Sequence, residues 1–304
     1  MTLLTIPAEI RSIIIEIAIL SKCPAPKDLE SAVATHQPLQ SDTYYRQLRA
    51  QFNTWPPGPR HIRFEEQPKG SAHYTSNALP LLLTNRQINA ETRSAIRRLG
   101  EKVRHYELDI MVSTEFWSTW TCVPVLSDRV DRVDATFRVD RMPASAFRVG
   151  NGSPPSIHWY FYFLLEHFLK RGPISPTSVT IDRQVSIQVL NLNFVACNES
   201  PQQAKGNDLV LKLAKEAVGA FRRLIGMGYH TALHGAIVHE RVGLVRFCVD
   251  GQLIRETNLG PILASFSCND PQYTFGHLAR EKRVAAFWEW KENATRLRME
   301  RGFK

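Results

Sequence analysis

Residues Ala236 to Arg255, Ala-Ile-Val-His-Glu-Arg-Val-Gly-Leu-Val-Arg-Phe-Cys-Val-Asp-Gly-Gln-Leu-Ile-Arg, decide the fold class. Asp250-Gly251 is a two-residue turn signal, because a hairpin turn of matching twist needs two residues that tolerate positive φ. The β-branched and aromatic run Leu244 to Val249 lies on one side of it and Gln252 to Arg255 on the other, so the pair reads as a hairpin. The Ile237-Val238 pair in Ala236 to His239 adds a preceding strand. Strands that close as hairpins, with helices in separate blocks, predict an α+β fold with an antiparallel sheet packed with helices.

Working outward, Tyr106 to Val112 and Arg132 to Val139 alternate polar and apolar residues and read as half-buried strands. Trp117 and Trp120, three apart between them, suit a helical turn packed on the sheet. Ser178 to Asp182 and Ser186 to Leu190 are further strand candidates. The aromatic run His158 to Leu169 carries Glu166, is too short to cross a bilayer, and reads as a buried helix that stops near Gly172-Pro173. Asn207 to Gly226 repeats apolar residues at helical spacing. The final helix, 278 to 301, places Val284, Phe287 and Trp288 along one apolar edge.

The N-terminal third is different. Pro7 opens a helix, where its missing N–H is harmless, and Glu9 meets the positive helix end. Ile10, Ile13, Ile14 and Ile17 then form one continuous isoleucine face, which must be covered by a partner or by the protein's own core. A polar, proline-containing stretch of about 22 to 78 follows, with Tyr44 to Phe52 as a short helix and Trp55-Pro56-Pro57-Gly58-Pro59 as a break. One helix, Leu81 to Leu99, ends at Gly100. The chain divides on this reading into a helical region, 1 to 100, and an α+β region, 101 to 304, continuous with it; the Arg148 to Ser156 loop is either another break, between an N-terminal and a C-terminal part, or a surface loop.

Ile6-Pro7-x-Glu9-Ile10 and, much later, Leu82-Leu83-Thr84-Asn85-Arg86-Gln87-Ile88-Asn89-Ala90-Glu91 together resemble a family of fungal F-box-like proteins, in which an LPxEIR-type helix precedes an LLxTxRQIxxE helix. The stretches Phe116 to Leu126 and Arg129 to Arg138 are similar to a tryptophan-rich segment and strand of that family. The resemblance implies that Pro7, Ile10, Ile13, Ile14 and Ile17 meet the Skp-type adaptor of a cullin-type ubiquitin ligase. It also implies that the remainder holds an unknown protein target. The length of the insertion tilts the expectation toward self-burial of the isoleucine face, which would leave a structural or protein-interaction protein without a ligase link.

Composition narrows the classes. With 304 residues, 43% of them apolar, the chain can bury a sizeable core. Five dispersed cysteines suggest reduced thiols in an intracellular, cytoplasmic or nuclear setting, and no apolar run suits a membrane span. The net charge of +9 raises a third reading, a nucleic-acid-associated factor, but Arg280 to Lys304 alone holds eight Lys or Arg against four Glu, and a solvated helix surface accounts for most of the excess. Phosphate-loop, dinucleotide and nucleophile-elbow motifs are missing from the sequence, so neither an enzyme nor a cofactor is expected. His230, His234 and His239, read on a strand, would place the first two about 13 Å apart, too far to share a metal. Asp128, Asp131 and Asp134, interleaved with Arg129 and Arg132, read as local ion pairs.

Overall fold

The computed structural model describes residues 3–38, 62–65, 76–140, 142–148, 154–173, 182–197, 203–228, 231–267 and 279–303. The expected Tyr44 to Phe52 helix, the Trp55 to Pro59 break, the Gly150 to Ser153 loop tip, residues 174–181 with most of the first strand candidate, His230 and Cys268 lie outside them. The described strands are β1 (His36–Pro38), β2 (Ile62–Glu65), β3 (His105–Val112), β4 (Phe116–Cys122), β5 (Arg129–Val139), β6 (Ser186–Ala196), β7 (Val242–Val249) and β8 (Gln252–Asn258). The helices are α1 (Ala8–Ile19), α2 (Leu29–Thr35), α3 (Ala78–Leu82), α4 (Arg86–Leu99), α5 (Ser156–Arg171), α6 (Gln203–Ile225), α7 (Ala232–Arg241), α8 (Leu259–Ser265) and α9 (Arg280–Glu300).

All eight strands join one sheet in the order β1-β2-β4-β3-β5-β6-β7-β8. The α+β class holds, but the sheet is mixed rather than antiparallel throughout. β3, β5, β6 and β7 run parallel to one another and β2 runs parallel to β4, whereas β1–β2, β3–β4 and β7–β8 pair antiparallel. The reason is connectivity: α5 lies between β5 and β6, and α6 with α7 between β6 and β7, and a helix returns the chain to the same end of the sheet. The hairpin legible in the sequence, β7–β8, is one edge of a sheet with a parallel centre. Because β2 pairs with β4, part of the 22 to 78 insertion is built into this sheet.

One face of the sheet carries the main core. Ile110, Trp120, Val133, Phe137, Leu190, Phe194 and Phe247 from the strands meet Tyr162, Phe168, Leu213, Ala217 and Phe221 from α5 and α6. α7 rests on α5 and α6, and α9 rests on α7. The other face is polar over β5 to β7, where Asp134, Thr136, Asn193 and Arg246 are half-buried; α2 covers part of it by seating Ala32 on Met111 and Trp117.

Three local readings are corrected. Trp117 and Trp120 stand on strand β4, not on a helical turn, and their odd spacing sends them to opposite faces: Trp117 under α2, Trp120 into the main core. Residues 236 to 239 belong to helix α7, not to a strand. The β-branched pair there is outweighed by packing: a Cβ on Gly235 would lie 2.2 Å from the Leu224 carbonyl, so glycine lets α7 approach the end of α6, and His239 Nε2 donates to the Ile225 carbonyl at 2.8 Å. The expected Leu81 to Leu99 helix is two helices, broken where Asn85 takes extended backbone and its side chain accepts the Ile88 N–H at 3.0 Å as the cap of α4. Gly100, at φ +57°, stops α4 as expected, and Asp250 and Gly251, at +48° and +78°, make the β7–β8 turn.

Candidate interaction surface

Arg11 explains how the two sequence halves come together. Pro7 starts α1 with an extended backbone, and Glu9 sits in its first turn. Four residues after Pro7, the Arg11 side chain turns inward. It donates from Nε and Nη2 to the two carboxylate oxygens of Glu91 on α4 at 2.6 and 2.7 Å, and from Nη1 to the Ile6 carbonyl at 2.7 Å. Such a forked pair fixes orientation as well as distance. The hydrogen bonds from Arg11 hold the Glu91 carboxyl below its ordinary value.

A second clamp lies about a turn and a half further on. Arg98 of α4 pairs with Glu16 at 2.8 Å and donates to the Ser12 hydroxyl. A third secures the C-terminal end of α1, where Asn77 Nδ2 donates to the Ile19 and Ser21 carbonyls at 2.9 and 2.8 Å, satisfying groups that a helix end leaves open. Between these clamps Ile15 and Ile19 pack with Ala78, Ala95 and Val103 in a small separate core. The unit joins the sheet at β4 and its exit: Cys23 N–H donates to the Thr121 carbonyl, and the Asn77 and Ala78 N–H groups donate to the Val123 and Pro124 carbonyls.

The isoleucine face is therefore not the face that packs. Ile10 is 50% exposed, Ile13 54%, Ile14 39% and Ile17 66%, and Pro7 is exposed beside them. Among the described residues nothing buries this face, in contrast to the self-burial that the sequence favoured. The side chains that attach α1 to the protein are Arg11, Ile15 and Ile19, a line at four-residue spacing on the opposite side. Sequence reading missed Arg11 because an arginine near a helix start suggests solvent; its signal was the position, in line with Ile15 and Ile19. Four half-exposed isoleucines on one helix form a patch that costs about 1 kcal/mol per side chain to leave wet.

The remaining sequence candidates are structural. His234 does lie on a helix, but its Nδ1 bonds the buried carboxylate of Glu166 at 2.5 Å, and Lys170 bonds the other oxygen of the same group. Burial alone would raise the Glu166 pKa; the His234 and Lys170 charges outweigh it and hold the group well below the carboxylate range. His239 is buried and pushed down to about 4 by desolvation. Among the described residues no cluster of three metal-ligating side chains occurs. The aspartate series forms ion pairs, with partners from other elements as well: Asp128 with Arg183, Asp131 with Arg104, and Asp134 with His105 and Arg132. On α9, Phe287 is buried while Val284 and Trp288 are exposed, so the docking edge is Phe287, Ala294 and Arg298, with Arg298 donating to the His239 and Val242 carbonyls at 2.7 and 2.6 Å. A cavity of about 60 Å³ lies in the main core between the sheet and α5 and α6, lined by side chains such as Leu108, Val133, Ala135, Leu192, Ala217 and Phe247.

No helix of the described residues is long and apolar enough to cross a membrane. No protein-family model, curated protein or solved structure matches the chain.

Proposed function

We propose that the chain is a non-enzymatic, F-box-like protein of the intracellular space that presents α1 to a Skp-type adaptor and holds a protein target on its sheet region. One observation carries this reading: Ile10, Ile13, Ile14 and Ile17 face solvent from a helix whose opposite side is fixed by three polar clamps. A helix held this way keeps its apolar side ordered and available, so a partner need not supply the ordering entropy. The packing of α1 against α3 and α4 supports the resemblance, since the two separated motifs form one small helical unit despite the intervening chain.

The test is co-purification with a Skp-type adaptor, comparing the wild type with Ile13→Asp and Ile17→Asp. Capture by the wild type and its loss in both variants, with unchanged melting, is the expected result. A folded wild type that recovers no adaptor overturns the ligase link.

A further inference from the structure

We propose that the free edge of β8 is a strand-addition site for an extended partner segment in which apolar residues alternate with acidic ones; in the adaptor reading that segment belongs to the target. β8 ends the sheet order and, among the described residues, pairs on one side only, with β7. Every residue of Gln252–Asn258 except Thr257 is exposed, including Leu253 at 55% and Ile254 at 42%. An edge strand offers a row of unpaired N–H and C=O groups, which an added strand satisfies. Among the described residues the opposite edge is guarded: β1 has three residues and ends on Pro38, which has no N–H to give.

Charge selects the occupant. Glu256 is neutralised by Arg246 of β7 at 2.8 Å, whereas Arg255 has no acidic partner among the described residues. Arg255 is thus the uncompensated charge of the strand, and it calls for a carboxylate on the incoming segment. A second copy of this chain fits poorly. Two β8 strands aligned over their full length about a two-fold axis would set Arg255 opposite its own copy, and like charges directly opposite destabilise a pair.

The position suits simultaneous occupancy. The α1–α3–α4 unit joins the sheet at β4, and β8 lies five strand spacings away, about 24 Å. A segment on β8 leaves the isoleucine face free.

The experiment uses the full chain with two blocked octapeptides, alternating Glu-Val and alternating Lys-Val, read by titration and by amide hydrogen exchange. The expected result is that the Glu-Val peptide slows exchange within residues 252–258 and binds about fivefold more tightly than the Lys-Val peptide, the scale of one cross-strand charge pair. Arg255→Glu, at an exposed position with no ion pair among the described residues, should reverse that preference without changing the melting temperature. No slowing at β8 with either peptide, an unreversed preference, or a peptide-free dimer paired through β8 each overturns the proposal. Adaptor capture plays no part in these measurements, so the ligase reading stands or falls separately.

Discussion

Arg11 and Glu91, eighty positions apart, meet in a forked ion pair of 2.6 and 2.7 Å that joins the first helix to the helix following the insertion. It is a contact neither residue could form within its own segment. It turns two short motifs into one surface, and it leaves the isoleucines of α1 on the outside.

Loss of that pair should loosen α1 while leaving the sheet intact. Arg11→Ala is expected to speed amide exchange across Ala8–Ile19 without altering exchange in β3, β5 or β6 and, on the proposed function, to weaken adaptor capture although no isoleucine has changed. Acid should mimic it. Because the Glu91 pKa is lowered in the folded chain, the pair's contribution is present above the ordinary value of 4.5 and is lost as pH falls through the lower folded value. Uniform exchange changes across the whole chain would contradict this local role.

The two sides of α1 should respond oppositely to substitution. Ile17→Asp, on the exposed side, is expected to change unfolding free energy by less than about 0.5 kcal/mol and to raise solubility. Ile15→Ala, on the buried side, should cost about 2 to 4 kcal/mol of local stability. Urea unfolding followed by a probe on α1 separates them, and equal costs at the two positions would reject the assigned orientation.

Glu166 is fully buried between His234 and Lys170, so its removal takes away the carboxylate that both side chains bond. Glu166→Ala should destabilise the chain by about 3 to 5 kcal/mol, and Glu166→Gln somewhat less. The carboxyl is depressed in the fold, so its stabilisation is complete above the unfolded value of 4.5 and disappears as pH falls below it. Acid unfolding followed by the fluorescence of Trp159, whose ring centroid is 6.0 Å from that of His234, measures this; a wild type and Glu166→Gln that unfold at the same pH would refute it.

The core cavity of about 60 Å³ represents roughly 1.4 kcal/mol of unrealised packing. Ala135→Val adds two methyl groups at a strand position that favours β-branching, and should raise stability by about 0.5 to 1 kcal/mol. A lowered urea midpoint would mean that the void is not reachable from β5 without strain.

Much of the fold was legible because the deciding forces were local. Positive φ at Asp250 and Gly251 needs only those residues, Gly100 stops α4 by its own freedom, and the aromatic density of α5 ensures burial in any compact arrangement. The same reasoning failed at residues 236 to 239, where strand propensity of a fraction of a kcal/mol yielded to a helix seated against the Leu224 carbonyl. It failed at Trp117 and Trp120, because a spacing of three is read differently on a helix and on a strand.

By itself, the sequence determined that α1 would be a helix with an isoleucine face, that the sheet region would carry hairpins, and that the class would be α+β. Only the tertiary structure decided that the sheet centre is parallel and that none of the described residues buries the isoleucine face. Apolar periodicity marks a face that water disfavours, but it does not identify what covers that face. On α1 the covering choice was made by Arg11, Glu91, Arg98 and Asn77, polar groups whose partners lie about eighty or about sixty positions away along the chain.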